Sequence, residues 1–174
     1  IELIIPQRRR DLGSFEVGRV LPFAARRMVG PYIFFDRIGP KHLAPGLPRE
    51  ADVRPHPHIG LSTITYLFEG QITHRDSLGS LQEIHAGEVN WMTAGRGITH
   101  SERFEHLRAN GGALDGIQAW VALPDGREEV DPGFWHYASQ SLPQFSGDGV
   151  SGRLIAGRLA GMASPVAVDS PQFY

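Results

Sequence analysis

Short segments of alternating or β-branched residues recur along the chain, and each is bounded by a turn rich in glycine or proline. This pattern is typical of antiparallel strands joined by tight connections. No segment before Phe104 carries an apolar stripe at helical spacing, so we expect little helix. Strands of this kind must protect their edges, which favours an all-β sandwich or barrel. The predicted strands cover residues 29–37, 61–68, 71–75, 82–84, 89–92, 98–102 and 117–123.

The length of 174 residues suits one domain, or one domain and part of a second. Residues 125–149 are rich in proline, glycine and acidic side chains, and we interpret them as a long irregular connection. Strand-like sequence returns after this segment. We therefore predict a barrel over residues 1–124, a connecting strap over 125–149, and strands over 150–174 that lead into a truncated second barrel.

The composition excludes several kinds of site and ligand. A formal net charge of −2 provides no electrostatic footprint for nucleic acid. The absence of cysteine excludes disulfides, thiolate catalysis and iron–sulfur clusters, so a metal site would use histidine and carboxylate. No apolar run approaches the roughly 18 residues that cross a bilayer, and the first residues lack the charge order of a signal peptide. We expect a cytoplasmic protein without direct nucleic-acid or membrane partners.

Two pairs of metal-binding side chains stand at i, i+2 spacing. His56 and His58 alternate with prolines that hold the backbone extended, so both imidazoles point to one side. His100 and Glu102 repeat this spacing on a predicted strand. Two such strands facing each other inside a barrel would supply three nitrogens and one oxygen. This set suits iron, zinc, copper, nickel or manganese better than calcium or magnesium.

The remaining histidines are weaker candidates, and on spacing alone even the paired ones are compatible with satisfied core histidines. We assign structural or solvent roles to four of them, which are His42, His85, His106 and His136. His74 stands on a predicted strand and could point inward as a hydrogen-bond donor behind a metal ligand. A core or surface role is the alternative for this residue.

Longer motifs carry a family resemblance. The most specific is GEVNWMTAGRGITHSE at residues 87–102, and four further motifs accompany it, which are VGPYIFFD (29–36), HPHIG (56–60), TYLFEG (65–70) and DSLG (76–79). Together they resemble successive signatures of the pirin family, and the resemblance extends along the whole chain. It implies an all-β, pirin-like cupin fold, which is a double-stranded β-helix or jelly-roll barrel.

The resemblance also implies a metal and its ligands. Pirins are bicupins whose N-terminal barrel binds iron through three histidines and one glutamate, and the matching positions are His56, His58, His100 and Glu102. The expected cofactor is therefore one divalent metal, with Fe²⁺ favoured over Zn, Cu, Ni or Mn. If the protein is a dioxygenase, Glu102 would either stay a ligand or act as the catalytic base that moves a substrate proton.

Two departures from the family pattern affect these expectations. Ser62 stands where many relatives carry a glutamate, and this change could alter the polarity around the metal. The sequence also stops at residues 170–174, where a second cupin would begin. That second half would come from a missing segment or from another chain.

Two functions are compatible with such a site. The first is a metal-dependent dioxygenase of the quercetin 2,3-dioxygenase type, acting on a flavonol-like or similar aromatic chelating substrate. The second is an iron-dependent, redox-sensing transcriptional co-regulator that acts through contacts with a regulatory protein partner, without catalysis. A metal-stabilised barrel with neither activity is a third alternative.

Overall fold

The computed structural model describes residues 1–12 and 15–170. Within these residues the chain forms one α-helix, α1 (Glu105–Asn110), and two short 3-10 helices, Arg49–Ala51 and Ser139–Ser141. The strands, in chain order, are β1 (Arg8–Asp11), β2 (Glu16–Leu21), β3 (Tyr32–Leu43), β4 (Val53–His58), β5 (Leu61–Glu69), β6 (Gln71–Asp76), β7 (Leu81–His85), β8 (Val89–Thr93), β9 (Ile98–Arg103), β10 (Gly112–Ala122), β11 (Gly133–Tyr137), β12 (Gln144–Gly147), β13 (Val150–Arg153), β14 (Arg158–Leu159) and β15 (Met162–Ala163). The predicted all-β class and low helix content are confirmed.

Two antiparallel sheets form the body of the structure. The larger has seven strands in the order β1-β2-β3-β10-β5-β8-β11, and the smaller has four in the order β4-β9-β6-β7. Strands β12 and β13 form a separate hairpin, as do β14 and β15. In the described part of the chain, no helix combines the length and the apolar character needed to cross a membrane.

All seven predicted strands are present, with differences at some ends. Strand β3 begins at Tyr32 and continues to Leu43, and β10 already begins at Gly112. The irregular connection predicted over residues 125–149 is wrong for β11, which pairs with β8 as the last strand of the larger sheet. The proposed division into domains stays a prediction, and its residues 171–174 lie outside the described residues.

The larger sheet is buried on both faces. Its outer face carries Ile64, Trp91 and Val121, which pack against Leu142 and Val166 of the C-terminal segment. On its inner face, one apolar cluster joins Leu67 of the larger sheet to Ile72 and Ile84 of the smaller sheet and to Leu107 of α1. A second inner cluster is built from Leu61, Met92, Ala94 and Ile98. The polar residues described below lie between these two inner clusters.

Substitution of Leu67 tests how much the inner core contributes to the stability of the fold. Its side chain is 0% exposed, and its replacement by alanine leaves a cavity between the sheets. We expect Leu67→Ala to lower the free energy of unfolding by about 2–5 kcal/mol in urea titrations. The matched control is Leu81→Ala, because Leu81 is 63% exposed and should change stability by no more than about 0.5 kcal/mol. Equal losses in both variants would contradict this assignment of the core.

Candidate metal centre

Strands β4 and β9 bring the predicted histidines together. They pair antiparallel in the smaller sheet, with His56 directly opposite His100. The ligand atoms of His56, His58 and His100 lie within 4.8 Å of one another, and the Nε2 atoms of His58 and His100 are 3.1 Å apart. His58 and His100 are buried, whereas His56 is partly exposed. The two motifs are thus neighbours within one sheet and do not face each other across the barrel.

Glu102 lies beside the three-histidine cluster and is not one of the residues within that 4.8 Å limit. It is buried on β9, in register with His74 of β6. Across the space between the sheets, the side-chain amide of Gln118 donates a hydrogen bond to Glu102 Oε1. Burial raises the pKa of Glu102, while His56 and the Gln118 hydrogen bond act in the opposite direction. Metal ligation by Glu102 therefore stays a prediction.

Burial keeps two of the clustered histidines neutral. It lowers the pKa of His58 to about 4, with a smaller contribution from His56. It lowers the pKa of His100 to about 2, and the three neighbouring histidines act in the same direction. Neutral imidazole is the form that binds a metal, so these two residues need lose no proton at neutral pH.

The donor set fits a divalent metal. Neutral imidazole nitrogens directed at one another, with a carboxylate beside them, suit iron, zinc, copper, nickel or manganese. His100 Nδ1 is buried and has no hydrogen-bond partner among the described residues. The other ring nitrogen, Nε2, lies 3.1 Å from Nε2 of His58, and either of these two nitrogens could be the donor, so the contact does not fix the tautomer of His100.

A glycine corner fixes the start of β9. Gly95 has a φ of +50°, and a Cβ at this position would lie 1.9 Å from the carbonyl oxygen of Val130. Glycine is therefore required for both conformation and space. The N–H of Arg96 donates to the same carbonyl at 2.9 Å. This contact holds the chain that leads to His100 against the segment that precedes β11.

His74 is buried, and its side chain hydrogen-bonds to Asp76, which is not one of the proposed metal ligands, so its role behind the metal stays a prediction. Its ring stacks on Phe134 with centroids 4.1 Å apart and lies 5.3 Å from the ring of His100. Its Nε2 is 2.9 Å from Asp76 Oδ2, and Asp76 also accepts N–H donors from Leu78 and Ser80. Burial is the largest influence on the pKa of His74 and lowers it, against the opposing effect of Asp76. His74 and Asp76 thus form a buried pair behind His100.

The other four histidines are not part of the cluster. His42, His85 and His106 are exposed, in agreement with the solvent role assigned to them. His136 is half-buried, and its Nδ1 lies 2.8 Å from Asn90 Oδ1.

Ser62 lies on the opposite side of the larger sheet from the histidines. It is opposite Thr93 on the outer face, and the two hydroxyl groups are 3.0 Å apart. This geometry therefore does not favour the expected direct effect of Ser62 on the polarity of the metal site.

Two residues of the site, Gln118 and Trp120, were not predicted from the sequence. The ring of Trp120 lies 4.8 Å from that of His58, and it stacks on Phe34 at 4.1 Å. Both residues belong to the predicted strand 117–123, where the alternation of side chains places them on one face. That alternation, with the presence of a polar residue on a β-rich strand, was the signal available.

Neutral, buried His58 makes the metal-free protein sensitive to acid. In the unfolded chain His58 gains a proton near its ordinary pKa of 6.5, whereas in the folded protein it does so at about 4. Between these values the unfolded state binds more protons, so the free energy of unfolding falls as the pH falls. We expect His58 to account for a loss of about 2–3 kcal/mol between about pH 7 and pH 4.

The measurement compares urea unfolding of metal-stripped wild type and His58→Gln across this pH range. The wild type should lose stability more steeply. Asp52 and Asp76 have pKa values lowered from 3.8, so their stabilisation is lost below this window, and it is common to both proteins. Parallel pH curves for the two proteins would show that His58 does not titrate in this way.

Comparisons with known proteins agree with the fold. The family model described as Pirin matches residues 14–121. A Caulobacter vibrioides relative named Pirin-like protein is 63% identical over 175 residues, which cover 100% of this chain and 61% of the relative. A crystal structure of quercetin 2,3-dioxygenase from Acinetobacter baumannii is 40% identical with a TM-score of 0.84, covering 94% of this chain and 52% of that one.

The chain thus spans between half and two thirds of the length of these two relatives. The bacterial pirin YhhW from Escherichia coli, in complex with nickel(II), is 23% identical with a TM-score of 0.56, covers 75% of this chain and 53% of that one, and shows the fold alone. These structural likenesses confirm the predicted cupin-type, pirin-like fold. Because the family model matches more than half of the chain and the Caulobacter relative aligns along all of it, the chain belongs to the pirin family.

Proposed function

We propose that His56, His58, His100 and Glu102 hold one divalent metal, and that the protein has quercetin 2,3-dioxygenase-type activity on flavonol-like substrates. The observation that carries this proposal is the convergence of three imidazoles within 4.8 Å, two of them buried and neutral. The name of the Acinetobacter relative, at 40% identity, supports the choice of substrate class.

Iron is the metal we propose. Oxidation by dioxygen requires a centre that can exchange electrons, which zinc does not provide. Nickel, copper and manganese satisfy the same ligands, and nickel(II) is bound in the Escherichia coli pirin. A bound redox-active metal would polarise the substrate oxygens and couple oxidation of the substrate to reduction of dioxygen.

The protein's own residues would orient the substrate and move one proton. His56 is partly exposed while the other two imidazoles are buried, so a substrate would approach from the side of β4. The ring of Trp120 lies 4.8 Å from that of His58 and provides apolar aromatic surface beside the cluster. Glu102 is buried from solvent, and the raised pKa of its carboxyl group favours acceptance of a proton from a substrate hydroxyl group.

The second candidate function is an iron-dependent, redox-sensing co-regulator that contacts a regulatory protein. One observation favours it. An apolar groove of about 630 Å³ lies over the outer face of the larger sheet, bordered by Phe35, Ile64 and Ile155, and none of the four proposed ligands lines it. This groove is therefore not a substrate pocket of the metal site. Both functions would use the same four metal ligands, but only the dioxygenase would turn over a substrate.

The test compares metal content, flavonol consumption and oxygen uptake in the same samples. We expect about one metal per chain in the wild type, and loss of the metal with at least a ~100-fold fall in turnover in the double variant His56→Ala, His100→Ala. The matched control, His42→Ala with His106→Ala, removes two exposed histidines and should keep both properties.

Three outcomes separate the alternatives. Loss of metal and turnover together in the double variant supports the dioxygenase. A stoichiometric metal without turnover in the wild type refutes the dioxygenase and leaves the co-regulator and the metal-stabilised barrel. No metal in the wild type, after incubation with Fe²⁺ under anaerobic conditions, refutes both.

A further inference from the structure

A row of polar side chains crosses the inner face of the larger sheet at the level of the metal site. Its members are direct neighbours in register on six adjacent strands, although apolar clusters occupy the space on both sides of the row. From β2 to β11 the row consists of Arg19, Asp36, Gln118, Thr65, Asn90 and His136.

Both ends of this row are paired within the larger sheet. Arg19 donates two hydrogen bonds to Asp36, at 2.9 and 2.8 Å. His136 Nδ1 lies 2.8 Å from Asn90 Oδ1. Gln118, in the middle, differs from both pairs because its amide donates across to Glu102 of the smaller sheet.

The presence of an amide at position 118 needs a physical reason. Gln118 shares the inner face of β10 with Leu114 and Trp120, which pack in the apolar clusters on either side. A polar group placed there costs about 1–3 kcal/mol unless it is hydrogen-bonded, and a methionine of similar length would avoid that cost. The contact with Glu102 explains why the amide is useful at this position.

The chemistry of the pair indicates what the contact does. A glutamine amide carries no charge and does not titrate. The contact therefore orients the Glu102 carboxylate without adding another proton-binding group. Its N–H occupies Oε1 of Glu102 and leaves Oε2 for another partner. Outer hydrogen bonds of this kind orient metal-binding carboxylates and tune their strength as ligands.

We propose that Gln118 is the positioning residue of the metal centre, holding the Glu102 carboxylate by one oxygen so that the other completes the three-histidine cluster. This inference rests on the proposed metal site and deepens it. Because the amide donates to Oε1, Glu102 would offer its other oxygen to a bound metal.

The test is a double-mutant cycle on cobalt(II)-loaded protein, read by chelator competition for affinity and by visible absorption for coordination. Gln118→Met keeps the length and removes the donor. We expect it to weaken cobalt binding about tenfold or more and to change the absorption bands. In the Glu102→Gln background, where no carboxylate is left to position, the same change should alter affinity by less than about twofold.

Thr65→Val is the matched control, since Thr65 neighbours Gln118 in the same row and belongs to the larger sheet. It should leave both readouts as in the wild type. Urea unfolding of every variant separates loss of folding from loss of binding. In a variant that is partly unfolded, the absorption bands of the folded fraction still report the coordination.

The outcomes distinguish this inference from the proposed function. A wild type that binds cobalt but does not oxidise flavonols with iron refutes the dioxygenase and leaves the cycle valid. Unchanged affinity and bands in Gln118→Met, or an equal change in both backgrounds, refutes the positioning role. A wild type that takes up no cobalt refutes the positioning role together with the metal site.

Discussion

The antiparallel pairing of β4 with β9 is the interaction on which the candidate site depends. It places His56 opposite His100 and so brings the three imidazoles of the cluster together. A slip of one residue would turn the imidazoles of one strand to the other face of the sheet. The register is held where β4 ends and β9 begins, because the N–H of Gly60 donates to the carbonyl of Gly95 at 2.8 Å. The glycine corner and the prolines of β4 therefore both help to fix the register between β4 and β9.

Around that pairing, the smaller sheet contributes ionisable residues and the larger sheet contributes their environment. His58, His100 and Glu102 all project from β4 and β9, whereas Gln118 and Trp120 approach them from β10. Burial between the sheets lowers the pKa of the imidazoles and raises that of the carboxyl group. Both pKa shifts favour the uncharged forms of these side chains when no metal is bound. A bound cation would therefore supply the positive charge that the buried site lacks.

Local signals in the sequence predicted the strands and the histidine spacing, because alternation, turns and proline stiffness act over a few residues. They did not predict Gln118. In the stretch from Ile117 to Leu123 Gln118 is the one polar residue among apolar ones, so the local pattern marks it as unusual but does not reveal its contact with Glu102 of the other sheet. In the structure the C-terminal segment covers the opposite face, so both faces are buried. Strand β11 was missed because its partner β8 lies about 40 residues away along the chain.

The cover over the outer face has a consequence for how the protein is made. The strands that carry the three clustered histidines, Glu102 and Gln118 are complete by residue 122, whereas the apolar side chains of the C-terminal segment that cover Ile64 and Trp91 come from residues 142–168. During synthesis the part of the chain that carries the candidate site is therefore complete while the outer face of the larger sheet is still exposed to water. For that interval the nascent chain presents a broad apolar surface, the kind of surface that chaperones bind.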